Sequence, residues 1–223
     1  MEKVIILASG GIDSLTVIAA AISEGKLPVI LSFDYGQTNK IELEFLKKSL
    51  KQFPNYNKIL HKIAKIDFSF LLDEESFSSS LIDQRVRVKK YNNLEELPNI
   101  VPNTYVPARN TIFISYAFGL AENLNITKIY LGIHKQDAPN YPDCTLKYSK
   151  AIHNLGQTGF KNKISVITPL INMNKVQIVE LGKKLGVDYS NTLSCYEPIN
   201  DKACHACHSC LIRDDALKAN QCI

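Results

Sequence analysis

The sequence predicts an α/β protein with a doubly wound, mostly parallel, five-stranded sheet and a small C-terminal metal-binding subdomain. Short apolar runs rich in β-branched residues alternate with amphipathic runs, the pattern of parallel strands joined by crossover helices. The first apolar run ends in a glycine-rich turn that opens a helix, and ligands bind at such strand ends in open α/β sheets. Four of the six cysteines crowd together near the C-terminus.

The N-terminal part of the chain has the order β-α-β-α-β. Apolar runs predict three strands, and runs with apolar residues on one helical face predict two helices between them. The strands are predicted at 4–8, 28–33 and 58–63, and the helices at 15–23 and 40–52. Strands connected in this way form a parallel sheet with right-handed crossovers.

The second half continues the alternation and supplies the remaining two strands. Helices are predicted at 112–123, 148–156 and 175–185, and strands at 126–131 and 164–168. Gly186 follows the last of these helices and gives it a C-terminal stop. We expect residues 1–190 to form the α/β domain and residues 191–223 to form the metal-binding region.

Between residues 67 and 103 the periodicity fades, and Ser, Asp, Glu and Asn accumulate. We interpret this stretch as a long, partly mobile insertion in the first domain. Loops of this length are uncommon unless they are lids, binding loops or disordered segments. A lid and a variable surface excursion both fit the sequence.

The glycine-rich turn is Ser9-Gly10-Gly11-Ile12-Asp13-Ser14. Its glycines permit turn torsions and a close approach to the backbone, and the helix start offers unpaired N–H groups to an anion. Ser9 and Ser14 can add hydroxyl donors, so the turn is a candidate phosphate cradle. An ordinary strand-to-helix turn with a Ser or Asp cap fits the same residues, and the spacing is neither that of a Walker loop nor Gly-x-Gly-x-x-Gly.

Composition places the chain among globular proteins. It has 223 residues, of which 45% are hydrophobic and 22% charged, with a net charge of +4. No apolar run approaches the ~20 residues of a membrane span, and a strand begins near the N-terminus without a signal peptide, so we expect a cytoplasmic protein. The densest basic cluster, 85–90, is weak support for nucleic-acid binding, because a solvated loop has the same composition.

Four cysteines have the spacing Cys195-x8-Cys204-x2-Cys207-x2-Cys210. Two Cys-x-x-Cys knuckles that share one cysteine can wrap a tetrahedral ion, and zinc is the first choice on ligand type. An iron–sulfur cluster and a redox Cys-x-x-Cys pair remain alternatives. His205 and His208 lie between the cysteines, but four thiolates already close the coordination shell.

Polar residues follow the predicted strand ends and helix starts. They are Asp34, Gln37, Arg109, Asp137, Tyr141 and Asp143. We predict that they form the substrate pocket at the carboxyl edge of the sheet. Arg109 and its neighbour Asn110 suit a phosphate or carboxylate, although they can also simply cap the helix that follows.

The turn resembles the pyrophosphate loop of the PP-loop ATP pyrophosphatases, Ser-Gly-Gly-x-Asp-Ser, at all six positions. This resemblance implies an adenine nucleotide alpha hydrolase-like, Rossmann-like fold, ATP cleavage between the α- and β-phosphates, and an adenylated intermediate. It also implies Mg²⁺ on the phosphates, with Asp13 as a candidate contact. The implied ATP-binding residues are Leu7, Ala8, Ser9, Gly10, Gly11, Ile12, Asp13, Ser14 and Leu15.

Within that superfamily, the chain resembles the 7-cyano-7-deazaguanine synthase family, QueC. The matching segments are 32–37, 105–111, 141–144, 168–171 and 194–196, and the likeness covers nearly everything outside 67–103. The resemblance implies an enzyme that uses ATP and ammonia to convert 7-carboxy-7-deazaguanine to the nitrile for queuosine biosynthesis. It implies zinc on the four cysteines, and Asp13, Ser14 and Arg109 are the candidate catalytic residues.

Three residues near the predicted pocket for the deazaguanine base differ from the family's usual sequence pattern. His134 stands where the pattern Gly-Val-Asn-x-x-Asp has Asn, Lys135 follows it, and Leu193 replaces a common Trp. These departures bear on the substrate or the amine acceptor. One alternative is therefore a QueC-like enzyme that transfers the activated acid to another amine, including one on a protein.

Two further alternatives belong to other classes. A PP-loop tRNA-modifying enzyme would need an RNA-binding extension, whereas a non-catalytic zinc-bearing nucleotide-binding module would release no pyrophosphate. We expect small-molecule substrates, no direct nucleic-acid or membrane partner, and a homodimer.

Overall fold

The computed structural model describes residues 1–72 and 79–222. Its strands are β1 (Lys3–Leu7), β2 (Leu27–Asp34), β3 (Leu60–Lys65), β4 (Lys128–Tyr130) and β5 (Ser165–Ile167). They form one sheet in the order β3-β2-β1-β4-β5, and every neighbouring pair is parallel. The order reverses between β1 and β4, which is the switch point of a doubly wound sheet. The predicted fold class is confirmed.

Six α-helices lie within the described residues. They are α1 (Ile12–Ser23), α2 (Glu42–Leu50), α3 (Arg109–Leu124), α4 (Leu146–Thr158), α5 (Lys175–Lys184) and α6 (His208–Ala219). The first five match the predicted helices with shifted ends. Our sequence analysis did not predict α6, because its apolar positions are few and overlap the cysteine motif. In the described part of the chain, no helix is long and apolar enough to cross a membrane.

Hydrophobic side chains cover both faces of the sheet. Ile5 and Leu7 of β1 pack with α3 and α4, whereas the alternate residues Val4 and Ile6 pack with α1, α2, α5 and α6. Because successive side chains of a strand point to opposite faces, a strand between two helical layers is apolar throughout. This explains the uninterrupted apolar run of β1.

The predicted insertion packs on the rest of the fold in its described part. The Thr38 N–H donates to the carbonyl oxygen of Leu81 at 2.9 Å, and the Tyr91 N–H donates to that of Ala206 at 2.8 Å. Lys90 also forms an antiparallel bridge with Cys207. Residues 79–103 therefore contact both the segment that follows β2 and the cysteine region, and the two interpretations of the insertion stay predictions. Residues 73–78, which include part of the predicted mobile stretch, lie outside the described residues.

Candidate active site

A cavity opens at the carboxyl edge of the sheet, beside the switch point. Its walls come from the residues that follow β1, β2 and β4, from the first residues of α1, α2, α3 and α5, and from α6. The predicted turn lies in this wall, together with Arg109 and Asp137. Strand ends and helix starts therefore meet where the sequence predicted a binding site.

The turn has the geometry of an anion site. Gly10 has φ +101°, and a Cβ built there would lie 2.6 Å from the carbonyl oxygen of Glu42, so glycine is required. No side chain caps the N-terminus of α1. The Gly10 N–H donates to Ser14 Oγ at 3.2 Å, and that hydroxyl donates to the Gly11 carbonyl oxygen at 3.0 Å. Ser14 thus stabilises the turn, while the first N–H groups of α1 remain for a ligand.

Asp13 is held as a carboxylate by a lysine that the sequence analysis missed. Lys175 Nζ donates to both carboxylate oxygens at 2.7 Å. Burial favours the neutral acid, but Lys175 and His134 stabilise the anion more strongly and lower the pKa of Asp13. Asn174 and Gln177 form a capping box that fixes Lys175 as the first residue of α5. That capping pattern was the available sequence signal.

His134, one of the departures from the family pattern, lies behind the cavity wall. It is fully buried, and its Nε2 is 3.0 Å from Lys175 Nζ and 3.1 Å from a carboxylate oxygen of Asp137. Nε2 accepts from Lys175 in one tautomer and donates to Asp137 in the other. His134 therefore couples Asp137 to the pair formed by Lys175 and Asp13.

Arg109 contributes a second cation to the cavity. Ala108, the N-cap of α3, has φ +56°, and Arg109 is the first residue of the helix. The guanidinium donates through Nη1 to the Tyr35 hydroxyl oxygen at 3.3 Å, and both side chains line the cavity. Burial raises the pKa of Tyr35, which therefore remains a hydroxyl at neutral pH.

Four predicted substrate residues, all within the described ranges, do not line the cavity: Asp34, Gln37, Tyr141 and Asp143. Asp34 pairs with Lys40 at 2.8 Å, which lowers the pKa of its carboxyl. Tyr141 bonds to the Thr104 hydroxyl, and Asp143 accepts from the Asn110 N–H at the start of α3. The bonds of these side chains lie within the fold, and their contact with a substrate stays a prediction.

Gln37 instead supports a carboxylate that the sequence analysis overlooked. Its Nε2 donates to Glu42 at 3.3 Å, and Asn39 Nδ2 donates to the other carboxylate oxygen at 3.0 Å. Glu42 lines the cavity although only 8% of it is exposed. Burial raises the pKa of its carboxyl to about 7. In the sequence, Glu42 looks like any acidic residue in the first turn of a helix.

The four predicted cysteines form one cluster. The Sγ atoms of Cys195, Cys204, Cys207 and Cys210 all lie within 4.8 Å of one another. A tetrahedral ion with Zn–S distances of ~2.3 Å needs sulfur atoms ~3.8 Å apart, so the cluster fits a metal after small adjustments. The Cys204 and Cys207 N–H groups each donate to a cysteine sulfur at 3.3 Å. The exposed His205 bonds to Asp214 at 2.7 Å.

This cluster also helps to build the cavity. α6 begins directly after Cys207 and carries Ser209 and Arg213 into the cavity wall. Arg213 Nη2 donates to the Tyr189 carbonyl oxygen at 3.3 Å, whereas Nη1 is buried and has no hydrogen-bond partner among the described residues. The C-terminal region therefore places a cation in the wall of the cavity that the glycine-rich turn also lines.

Curated relatives match almost the entire chain. A 7-cyano-7-deazaguanine synthase of Rickettsia felis is 46% identical over 224 residues, which cover 99% of this chain and 96% of the relative. The protein of the same name from Rickettsia prowazekii is 44% identical, again over 99% of this chain and 96% of the relative.

Solved structures support the fold. NMN synthetase from Francisella tularensis aligns with a TM-score of 0.52 and 18% identity, covering 92% of this chain and 71% of that one. A 4-thiouridine synthetase in complex with RNA and bound ATP aligns with a TM-score of 0.51 and 17% identity, covering 98% of this chain and 50% of that one.

The model of the family described as queuosine biosynthesis protein QueC matches residues 3–221. A match of this extent, together with the curated relatives, shows the family of the chain. The chain belongs to the QueC family.

Proposed function

We propose that this protein is an ATP-dependent ligase that converts 7-carboxy-7-deazaguanine and ammonia to 7-cyano-7-deazaguanine in queuosine biosynthesis. The observation that carries the proposal is the 46% identity over 99% of the chain to a protein of that name. The cavity supports it, because it combines an uncapped helix N-terminus with three cationic side chains, Lys175, Arg109 and Arg213.

ATP is proposed to lie over residues 7–15. The first N–H groups of α1 donate to the phosphate oxygens, and Lys175 and Arg213 add positive charge. Mg²⁺, when bound at Asp13, supplies further neutralisation of the phosphate oxygens. Because Asp13 is a carboxylate at neutral pH, it would hold that ion, and Lys175 beside it would contact phosphate.

The chemistry needs positioning and charge stabilisation more than a protein nucleophile. The substrate carboxylate attacks the α-phosphate, pyrophosphate leaves, and an acyl adenylate remains. Ammonia then displaces AMP to give the amide. A second activation transfers the amide oxygen to another AMP and yields the nitrile. Arg109 is the proposed partner of the substrate carboxylate, and Asp137 is the proposed contact to the base.

Zinc is proposed as the ion of the cysteine cluster. Four thiolates that close the coordination shell are typical of a structural site, so the ion supplies stability to the C-terminal region. Cys207 is also the residue before α6. Zinc therefore holds the helix that carries Arg213, which links residues 191–223 to the proposed nucleotide site in residues 1–190.

The test is incubation with ATP, ammonia and 7-carboxy-7-deazaguanine, followed by mass spectrometry of small molecules and of the protein. The proposal predicts the nitrile together with AMP and pyrophosphate. ADP as the only nucleotide product contradicts it. A deazaguanine adduct on a protein amine, with no free nitrile, instead supports the alternative amine acceptor.

We also propose that the protein is a homodimer that binds small molecules and no nucleic acid, and that it acts in the cytoplasm. Light scattering at several concentrations measures the mass in solution. A monomer at every concentration contradicts the homodimer.

A further inference from the structure

The carboxylate of Glu42 forms no ion pair within the described part of the chain. Its two oxygens accept from Gln37 and Asn39, one donor each. Gln37 is fixed by two backbone bonds, because its Oε1 accepts from the Tyr35 N–H and its Nε2 also donates to the Phe33 carbonyl oxygen. The charged group whose field reaches Glu42 is Arg109, which stabilises the anion without pairing with it. Each oxygen of Glu42 keeps a lone pair for a ligand.

Asn39 provides a second acceptor at the same wall. It is 5% exposed and lines the cavity with Glu42. Because its Nδ2 donates to Glu42, the amide orientation is determined, and its Oδ1 is the remaining polar atom. Oδ1 is buried and has no hydrogen-bond partner among the residues described. A buried acceptor without a donor is unfavourable, so a ligand whose N–H group reaches this oxygen stabilises the arrangement.

These acceptors lie next to the phosphate turn. The Glu42 carbonyl oxygen is 2.6 Å from the position of a Cβ on Gly10, so the start of α2 packs directly on the turn. Glu42 and Asn39 line the same cavity as residues of the turn, so an acyl adenylate formed over residues 7–15 shares that cavity with them. The wall offers two hydrogen-bond acceptors, a buried carboxylate and an amide oxygen. These groups suit a small cation with several N–H groups.

We propose that Glu42 and Asn39 form an ammonium site, and that Glu42 is the base that converts the bound ammonium to the ammonia nucleophile. This inference rests on the proposed function. It gives the nitrogen substrate a binding site and a proton acceptor. A proton acceptor is needed because ammonia in neutral water is almost entirely protonated, and the ammonium ion has no lone pair for attack.

The nitrogen loses two protons during amide formation, one to Glu42 and one to solvent. Ammonium gives one proton to the Glu42 carboxylate, and the nitrogen lone pair forms the C–N bond to the acyl carbon. The bond from that carbon to the AMP oxygen breaks, and AMP leaves with the electron pair. The second proton passes from nitrogen to solvent, and Glu42 releases its own proton to solvent before the next turnover. A base whose pKa lies near 7 is suited to this exchange at neutral pH.

The test compares two nucleophiles in the variant Glu42→Gln. Hydroxylamine is largely unprotonated at neutral pH, so its attack on the acyl adenylate needs no base. We expect the rate of amide formation from ammonium to fall by about 100-fold or more, as for loss of a general base. Hydroxamate formation from hydroxylamine stays near the wild-type rate. Asn39→Ala is expected to raise the KM for ammonium and to leave the hydroxylamine reaction unchanged.

Glu44→Gln is the matched control, since Glu44 lies on the same helix but is exposed and paired with Lys47. It should leave both reactions unchanged. Equal losses with both nucleophiles, or an unchanged ammonium rate in Glu42→Gln, overturn the proposal. If Glu42→Gln forms no AMP, the proposal is wrong, and a contact between Glu42 and the deazaguanine base explains the loss instead. Failure of the proposed function is distinguishable, because the wild-type protein then forms no AMP with either nucleophile.

Discussion

Lys175 Nζ lies 2.7 Å from both carboxylate oxygens of Asp13, so the first residue of α5 neutralises the acidic residue of the phosphate turn. The two residues are 162 positions apart in the chain. Their pairing brings the first turns of α1 and α5 together at the cavity. It also places a positive charge beside the position where phosphate is proposed to bind.

We predict that Lys175→Met weakens ATP binding. The variant removes a charge-assisted contact, for which a loss of ~1.5–3 kcal/mol corresponds to a roughly ten- to 100-fold higher Kd. Titration calorimetry measures the change. Lys184→Met is the control, because Lys184 is exposed and pairs only with Glu180 among the described residues. If both variants bind ATP like the wild type, Lys175 has no role at the nucleotide.

The raised pKa of Glu42 predicts a specific pH dependence of stability. Between pH 4.5 and about 7 the unfolded chain loses this proton while the folded protein keeps it, so folding becomes less favourable as pH rises. A shift of this size costs roughly 3 kcal/mol, at about 1.4 kcal/mol per pKa unit. Relative to Glu42→Gln, the wild-type free energy of unfolding should fall over this interval and change little above it.

Urea denaturation of both proteins at several pH values measures this difference. Glu44→Gln serves again as the reference, because its exposed carboxyl should leave the pH profile of the wild type unchanged. A constant difference between wild type and Glu42→Gln from pH 4.5 to 8 contradicts the raised pKa.

We predict that the cysteine cluster binds one zinc ion per chain and that removing it weakens ATP binding as well as stability. Elemental analysis of the pure protein gives the stoichiometry. The double variant Cys204→Ser and Cys207→Ser should lose the ion, because two of the four ligands are gone. Full metal retention in that variant contradicts the assignment.

Arg213→Met separates the two effects of the zinc region. It should keep the ion and the fold, because Arg213 is not a ligand, but weaken ATP binding by about tenfold through loss of one charged contact. Chelation that lowers the melting temperature without changing ATP affinity contradicts the link through α6.

We predict that the protein binds the deazaguanine acid more tightly than an analogue that lacks the exocyclic amine. A deazaguanine presents an N–H edge that a carboxylate such as Asp137 accepts, so an analogue without the amine leaves a buried partner unpaired. We expect the analogue to bind weaker by about 1–3 kcal/mol. Calorimetry with both compounds measures this, and equal affinities mean that the edge is not recognised.

Local patterns were sufficient for the turn and the cysteines. The six residues from Ser9 to Ser14 fold as strand end, turn and helix start, and the cysteine spacing alone brings four sulfur atoms together. The alternation of apolar runs likewise predicted all five strands, because β1 and its neighbours are covered on both faces.

The rest of the site depends on tertiary packing that spacing does not encode. Asp34 is the last residue of β2 and Asp143 lies in the loop between β4 and α4, but each finds a neighbouring donor in Lys40 or Asn110. Lys175 and Glu42 look like ordinary residues at helix starts. They line the cavity only because α2 and α5 follow β2 and β5, which lie on either side of β1 in the sheet. The sequences of α2 and α5 alone do not predict that arrangement.

The oxygen atoms of the substrate carboxylate report directly on adenylation at the glycine-rich turn. With both carboxylate oxygens labelled with ¹⁸O, adenylation at the phosphate turn predicts one labelled oxygen in each AMP and two AMP per nitrile, measured by mass spectrometry. Unlabelled AMP, or ADP in place of AMP, contradicts the account.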